Sequence, residues 1–69
     1  MKILIIDAQG GGMGKQLVMS VKKEFPQAEI GAVGTNSLAA SNMLKAGADY
    51  AATGENAVVV GCRKSDVII

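Results

Sequence analysis

The stretch from residue 2 to residue 15 constrains the fold most, because an apolar run leads into a cluster of glycines and then into helical periodicity. The run Lys2–Asp7 consists of β-branched residues and leucine between a lysine and an acid. Such a run is typical of a strand buried on both faces of a parallel sheet. The glycines that follow predict a strand-to-helix turn where the backbone can approach a ligand closely; they are Gly10, Gly11, Gly12 and Gly14.

A helix is predicted to begin at Met13 and to end before Pro26. Its apolar positions recur every four residues, with Val18 beside them, at Met13, Leu17, Val21 and Phe25. The free N–H groups and the positive dipole end at the start of a helix attract anions such as phosphate. The turn therefore indicates a nucleotide or another anion rather than a particular reaction.

The middle of the chain predicts a second strand-helix unit and a third strand. Glu29–Gly34 is a short, buried strand, and Thr35, Asn36 and Ser37 offer capping oxygens to a helix that runs to about Ala46. Gly47 supplies the stop of that helix. A short strand is then expected over residues 49–52.

The last third of the chain is ambiguous in one segment. Thr53 is expected to cap a helix whose first turn contains Glu55. The valines and glycine of residues 57–62 favour a strand by propensity, whereas a right-handed crossover to a fourth strand requires a helix. We predict the helix, followed by a strand over residues 66–69.

These elements predict an α/β fold with a three-layer, Rossmann-like parallel sheet of order 3-2-1-4. Because the fourth strand is reached at the end of the sequence, residues 1–69 are expected to be the N-terminal part of one such domain, incomplete at its C-terminus. We therefore expect either a homo-oligomer or a longer chain to cover the apolar sheet edge.

Composition excludes several classes of function. The net charge is +1 and only Phe25 and Tyr50 are aromatic, so neither a basic patch nor a stacking platform for nucleic acid is expected. A single cysteine, Cys62, and the absence of histidine leave no disulfide framework and no predicted metal site. Cys62 itself is predicted to be a small buried residue. The first apolar run is too short for a signal peptide or a membrane span, so a cytoplasmic protein without membrane contact is expected.

The strand, turn and helix resemble the opening of NAD(P)-binding Rossmann domains. Gly10 and Gly12 fit the first two positions of G-x-G-x-x-G, and Lys15 stands at the third. The short-chain dehydrogenase variant G-x-x-x-G-x-G matches at Gly12 and Gly14, with Ala8 in place of the first glycine. The acid that holds the ribose in NAD-binding members is replaced by residues 34–36, Gly-Thr-Asn.

The same segment resembles a phosphate-binding P-loop. Residues 11–16, Gly-Gly-Met-Gly-Lys-Gln, are similar to the G-G-x-G-K-[ST] core of deviant Walker-type ATPases. Gln16 offers no hydroxyl for magnesium, and Gln9 replaces the leading glycine of the general motif.

The whole chain resembles the N-terminal half of a bacterial family of small Rossmann-like proteins known only as a domain of unknown function. Three segments carry this resemblance: residues 34–36, 44–49 and 52–57. The resemblance implies a three-layer α/β fold and further sequence after Ile69, and it implies no activity.

The expected ligand is NAD(P) or another nucleotide, and its predicted contacts are Gln9, Gly10, Gly11, Gly12, Met13, Gly14, Lys15 and Asn36. For the glycines the alternative is a tight turn alone, and for Asn36, Thr53, Glu55 and Asn56 it is helix capping. Asp7 either faces the ligand or binds the amides of the turn. No nucleophile with a base is evident. A non-catalytic regulatory or assembly module that binds a small ligand or a partner is the alternative function, and a degenerate P-loop-like nucleotide binder comes third.

Overall fold

The computed structural model describes residues 1–7 and 12–69. Strands and helices alternate along the chain in the order β1 Lys2–Asp7, α1 Gly12–Glu24, β2 Glu29–Gly34, α2 Ser37–Lys45, β3 Tyr50–Thr53, α3 Glu55–Lys64 and β4 Val67–Ile68. The strands are all parallel and lie in the order β3-β2-β1-β4. The predicted Rossmann-like α/β topology is confirmed, while the predicted site residues Gln9, Gly10 and Gly11 lie outside the described residues.

The sheet is centred on β1, which pairs with β2 on one side and with β4 on the other. Ile3 is in register with Ile30 and with Val67. Backbone pairing continues past the end of β4, because the Ile6 N–H donates to the Ile69 carbonyl oxygen at 2.9 Å. The predicted fourth strand therefore forms, with the shorter bounds given above.

One face of the sheet is covered by α1 and α2, and the main core lies there. Alternation along the strands sends Ile3, Ile5 and Ile30 to this face. These side chains belong to a buried cluster that also contains Val18, Val21, Ala28, Ala32, Met43 and Ala48. The cluster is entirely aliphatic apart from one methionine, as the composition predicts.

The buried stripe of α1 differs from the predicted one. Met13 is 76% exposed and Phe25 is 51% exposed, whereas Gly14, Val18 and Val21 are buried. An α-helix turns 100° per residue, so residues that repeat strictly every four positions drift around the helix. Gly14, Val18 and Val21 have the spacing i, i+4, i+7 and therefore stay on the side that faces the core. The helix also begins one residue earlier than predicted, at Gly12.

The capping predictions are confirmed for α2 and wrong for α3. The Asn36 Oδ1 accepts a hydrogen bond from the Ala39 N–H at 2.8 Å, and Gly47 follows α2 with a φ of +121°. Thr53 does not cap α3, because it is the last residue of β3 and pairs in register with Gly34. Gly54, with a φ of +98°, takes the capping position and offers no side chain.

Among the described elements, α3 alone covers the other face of the sheet, which confirms the helix predicted for residues 57–62. None of the ten residues of α3 is buried. It approaches the sheet closely at Gly61, where an added Cβ would lie 3.0 Å from a terminal methyl group of Leu4. Cys62 is half-buried rather than buried as predicted.

The start of β3 is fixed by Asp49, whose carboxylate bridges two elements. Its Oδ2 accepts a hydrogen bond from the Ile30 N–H at 2.7 Å, and its Oδ1 lies 3.5 Å from the Lys22 Nζ of α1. The hydrogen bond from Ile30, helped by the charge of Lys22, lowers the pKa of the Asp49 carboxyl below its ordinary value of 3.8.

Candidate functional site

The predicted site lies at the carboxyl edge of the sheet, where ligands bind in open parallel α/β folds. Asp7, Gly34 and Thr53 end β1, β2 and β3 and stand in one row, since Asp7 is in register with Gly34 and Gly34 with Thr53. The α1 helix begins at this edge with Gly12. Parallel pairing thus brings the segments that follow β1, β2 and β3 together at the carboxyl edge of the sheet.

Asp7 is bound to the first turn of α1. The side chain is 5% exposed, and its Oδ2 accepts a hydrogen bond from the Gly14 N–H at 2.9 Å. The first four N–H groups of a helix have no acceptor within the helix, so a carboxylate here satisfies one of them and lies favourably at the positive dipole end. Asp7 therefore has one of its two predicted roles, because its carboxylate binds an amide of the turn.

Gly14 is explained by close packing. A Cβ at this position would lie 2.6 Å from the Met43 Sδ and 2.9 Å from the Asp7 Cβ. Both neighbours are buried, so the helix can approach β1 and α2 this closely only with glycine. This corresponds to the role of the helix-packing glycine in dinucleotide-binding turns.

Gly12 has the opposite surroundings. A Cβ added there would have no atom of residues 1–7 or 12–69 within 4 Å, apart from its chain neighbours, and the residue is exposed at the first position of α1. Met13 and Lys15 are exposed beside it. The described part of the turn therefore opens to solvent at the end of the helix where N–H groups lack helical acceptors.

The end of β2 packs against α2. A Cβ at Gly34 would lie 2.7 Å from the backbone nitrogen of Ala40, so this residue also has to be small. The Thr35 N–H donates to the Asp7 carbonyl oxygen at 3.1 Å, which ties the end of β2 to the end of β1. Asn36 is close to the edge, but its Oδ1 is engaged by Ala39 in the helix cap.

On the α3 face of the same edge lies a cleft of about 260 Å³, which we call the carboxyl-edge cleft. Its walls combine three aliphatic side chains with small and polar residues, namely Ile6, Val33 and Val58 with Gly34, Thr35, Gly54 and Glu55. Because Ile6 and Asp7 are adjacent in β1 and point to opposite faces, the cleft and the start of α1 lie on either side of one strand end.

Sequence reasoning identified the glycines, Asp7 and Glu55, and it missed the apolar walls of this cleft. Ile6, Val33 and Val58 read in the sequence as ordinary core residues. The signal that was available is the alternation along β1, which sends Ile6 away from the α1 face occupied by Ile5. Of the residues predicted at other strand ends, Glu55 lines the cleft, and Asn36, Thr53 and Asn56 do not.

The described residues contain no group of three or more His, Cys, Asp or Glu side chains placed to hold a metal ion. Within the same residues, no helix is long and apolar enough to cross a membrane.

The topology and the edge define a small parallel α/β protein of Rossmann-like type. The model of a family described as a domain of unknown function, DUF3842, matches residues 2–69. The chain therefore belongs to the DUF3842 family, in agreement with the resemblance of its three segments. No curated protein and no solved structure gives a significant match.

Proposed function

We propose that this protein binds a mononucleotide at the carboxyl edge of its sheet. The observation that carries the proposal is the pairing of an open helix start at Gly12 with an apolar cleft across the same strand end. A nucleotide needs both an anion site and an apolar slot, and these two lie where parallel α/β folds bind ligands.

The phosphate is assigned to the start of α1. Gly14 lets the helix pack against β1, so that the helix axis starts at the strand end, and the absence of a side chain at Gly12 leaves the space above it open. Lys15 is exposed one turn into the helix and supplies a cation for the phosphate. The Asp7 carboxylate is held by the Gly14 N–H on the core side.

The base is assigned to the carboxyl-edge cleft. Ile6, Val33 and Val58 provide apolar contact for a planar ring, and Glu55 provides carboxylate oxygens that accept hydrogen bonds from amino or hydroxyl groups. A volume of about 260 Å³ is small for a ligand pocket and suits one ring system.

A mononucleotide is favoured over NAD(P) by the residues at the end of β2. Thr35 and Asn36 occupy the place where dinucleotide-binding domains hold the ribose with an acid. The Asn36 side-chain oxygen is already engaged by Ala39 at 2.8 Å. We assign no reaction to the site.

The test is calorimetric titration of the full chain with AMP, ATP, NAD⁺ and inorganic phosphate. We expect AMP or ATP to bind more tightly than NAD⁺, and Gly12→Val to abolish binding by filling the open space at the helix start. Ser20→Val is the matched control, because it places the same side chain on an exposed position of α1 two turns away. Equal affinity of wild type and Gly12→Val would refute the phosphate assignment.

A second pair of variants tests the base. Val58→Phe fills the carboxyl-edge cleft, whereas Val59→Phe puts the same ring on an exposed position of α3. We expect only Val58→Phe to weaken AMP binding while inorganic phosphate binds as before. If no nucleotide binds at any concentration tested, the regulatory or assembly function becomes the better explanation.

A further inference from the structure

We propose a second binding site at the opposite, amino edge of the sheet, for a small carboxylic acid with a flat apolar body. A cleft of about 320 Å³, which we call the amino-edge cleft, lies between α3 and the sheet. The first residues of β1, β2 and β3 line its outer end, and it runs along the α3 face as far as Val33, which also lines the carboxyl-edge cleft.

The cleft exists because small residues face each other across it. On the helix, Ala57 and Gly61 lie one turn apart and face the sheet, and on the sheet Ala52 contributes only a methyl group. Gly61 touches Leu4 so closely that an added Cβ would lie 3.0 Å from it. The helix therefore approaches the sheet at Leu4 and leaves a thin slot beside it.

The Tyr50 ring forms one wall of this slot. Tyr50 is in register with Gly31, which is in register with Leu4. A Cβ at Gly31 would overlap the hydroxyl end of the ring, so the ring lies across β2 and points toward β1. An aromatic wall beside aliphatic Val33 and Val60 favours a flat apolar body, because rings stack well on such surfaces.

The charged residues that line the cleft determine which polar group the ligand carries. Lys2 and Lys64 line the cleft together with one acid, Glu29. The Lys2 Nζ lies 4.0 Å from the Glu29 Oε2, while Lys64 has no ion-pair partner within the described part of the chain. The lining of the cleft thus offers one ammonium group without an ion-pair partner among the described residues and one phenolic hydroxyl, and both donate hydrogen bonds.

A carboxylate matches these donors better than an amine or a neutral group does. It has two oxygens that can accept from an ammonium group and a hydroxyl at once, and hydrogen bonds between charged partners are the stronger kind. An amine would meet Lys64 as a like charge. The slot and the donors that line it together therefore define an aromatic or similarly flat monocarboxylate.

The test is NMR titration of the ¹⁵N-labelled full chain with phenylacetate and with phenylacetamide, its neutral counterpart. We expect phenylacetate to cause saturable shifts at Leu4, Tyr50 and Val60, and phenylacetamide to bind about 1.5- to fivefold more weakly, the range of an exposed ion pair. Saturable shifts at Thr35 and Val58 instead would place the acid in the carboxyl-edge cleft and overturn the proposal.

Two matched pairs of variants separate the charge from the slot. Lys64→Gln is expected to reduce the affinity for phenylacetate to that for phenylacetamide. Arg63→Gln is the control, because Arg63 is the preceding residue of α3 and does not line the cleft, and it is expected to change neither affinity. Ala57→Leu fills the slot and should abolish binding of both probes, whereas Val59→Leu on the exposed side should not.

Equal losses in Lys64→Gln and Arg63→Gln, or equal affinities of the two probes for the wild type, would overturn the carboxylate assignment. If Ala57→Leu fails to fold, the Lys64 and Arg63 pair still decides the question. Neither result depends on nucleotide binding, because the probes carry no phosphate and the monitored residues Leu4, Tyr50 and Val60 do not line the carboxyl-edge cleft.

Discussion

The two faces of this sheet differ in how tightly they are packed. On the α1 and α2 face, Ile5, Ile30 and Met43 are fully buried and helix glycine Gly14 has neighbours that leave no room for a methyl group. On the α3 face, no helix residue is buried and two clefts separate the helix from the strands. The α1 and α2 face therefore contributes the close packing that stabilises the fold, while the α3 face has open space for ligands.

The same chemistry underlies both faces, because each is aliphatic and rich in small residues. What differs is the size of the facing side chains. Val18, Val21 and Met43 fill the space over β1 and β2 on one face, whereas on the other face Gly61 contacts Leu4 and Ala57 leaves a slot beside that contact. Close packing accounts for most of the sensitivity of a core to substitution, so the two faces should respond differently to the same change.

The largest expected effect comes from truncating a core side chain on the packed face. Met43→Ala should lower the free energy of unfolding by about 2–4 kcal/mol, because it removes a fully buried side chain and leaves a cavity. Val60→Ala on α3 should cost less than about 1 kcal/mol, since that side chain is 39% exposed. Urea unfolding of both variants measures the difference, and similar losses would contradict the contrast between the faces.

Alanine substitution of two helix glycines sharpens the comparison. Gly14→Ala should destabilise by about 1–3 kcal/mol, because the new methyl group overlaps the buried Met43 Sδ and the Asp7 Cβ. Gly61→Ala meets only the terminal methyl groups of the buried Leu4, at 3.0 Å, and the gain in helix propensity of up to about 1 kcal/mol offsets part of that contact. Gly12→Ala, whose added methyl group would meet no atom within 4 Å among the described residues, is the control for helix propensity. Thermal unfolding should rank Gly14→Ala lowest of the three.

The helix caps provide a smaller test of the same difference. Asn36→Ala should cost about 1 kcal/mol, because it removes the side-chain acceptor of the Ala39 N–H at the start of α2. Thr53→Ala should change stability by less than about 0.5 kcal/mol, since α3 has no side-chain cap to lose. Chemical denaturation at neutral pH compares them, and a larger effect at Thr53 would contradict the observed start of α3.

The smallest expected effect is a pH dependence at the rim of the packed face. The pKa of Asp49 is lowered in the folded state, so the charged carboxylate adds stability above its ordinary value of 3.8. That contribution is lost as the pH falls through the lower folded pKa. We expect less than about 1 kcal/mol, because the side chain is 42% exposed.

Asp49→Asn is the matched variant, since its amide oxygen still accepts from the Ile30 N–H but does not titrate. The difference in unfolding free energy between wild type and variant should be constant near neutral pH and shrink below pH 3.8. A difference that grows on acidification would reverse the sign of the argument.

The sequence predicted the strands, the topology and the capping of α2, because these depend on local patterns such as the run in β1 and the Asn36 cap. It did not predict that Met13 and Phe25 are exposed. A repeat of four residues drifts around the helix, so it does not show which of two neighbouring stripes faces the core. Thr53 was wrongly assigned because pairing with Gly34 extends β3 by one residue. Such long-range pairing has no local signal.

The two clefts could not be predicted from the sequence either, for a related reason. A cleft depends on which small residues meet across two elements, as Ala52 and Gly61 do at the amino edge. Helix-to-sheet distance decides whether they pack together or leave space. Gly14 and Gly61 are both helical glycines that face a strand, yet a Cβ would meet a sulfur and a carboxylate residue at Gly14 and only the terminal methyl groups of Leu4 at Gly61.

The Tyr50 ring over Gly31 gives this protein a built-in optical probe. The chain contains one tyrosine and no tryptophan, so its near-ultraviolet emission comes almost entirely from that ring. The emission should therefore follow partial opening of the α3 face, which far-ultraviolet circular dichroism would register only weakly. A change in fluorescence at denaturant concentrations below the main loss of ellipticity would show that α3 detaches while β1, β2 and their two helices remain assembled.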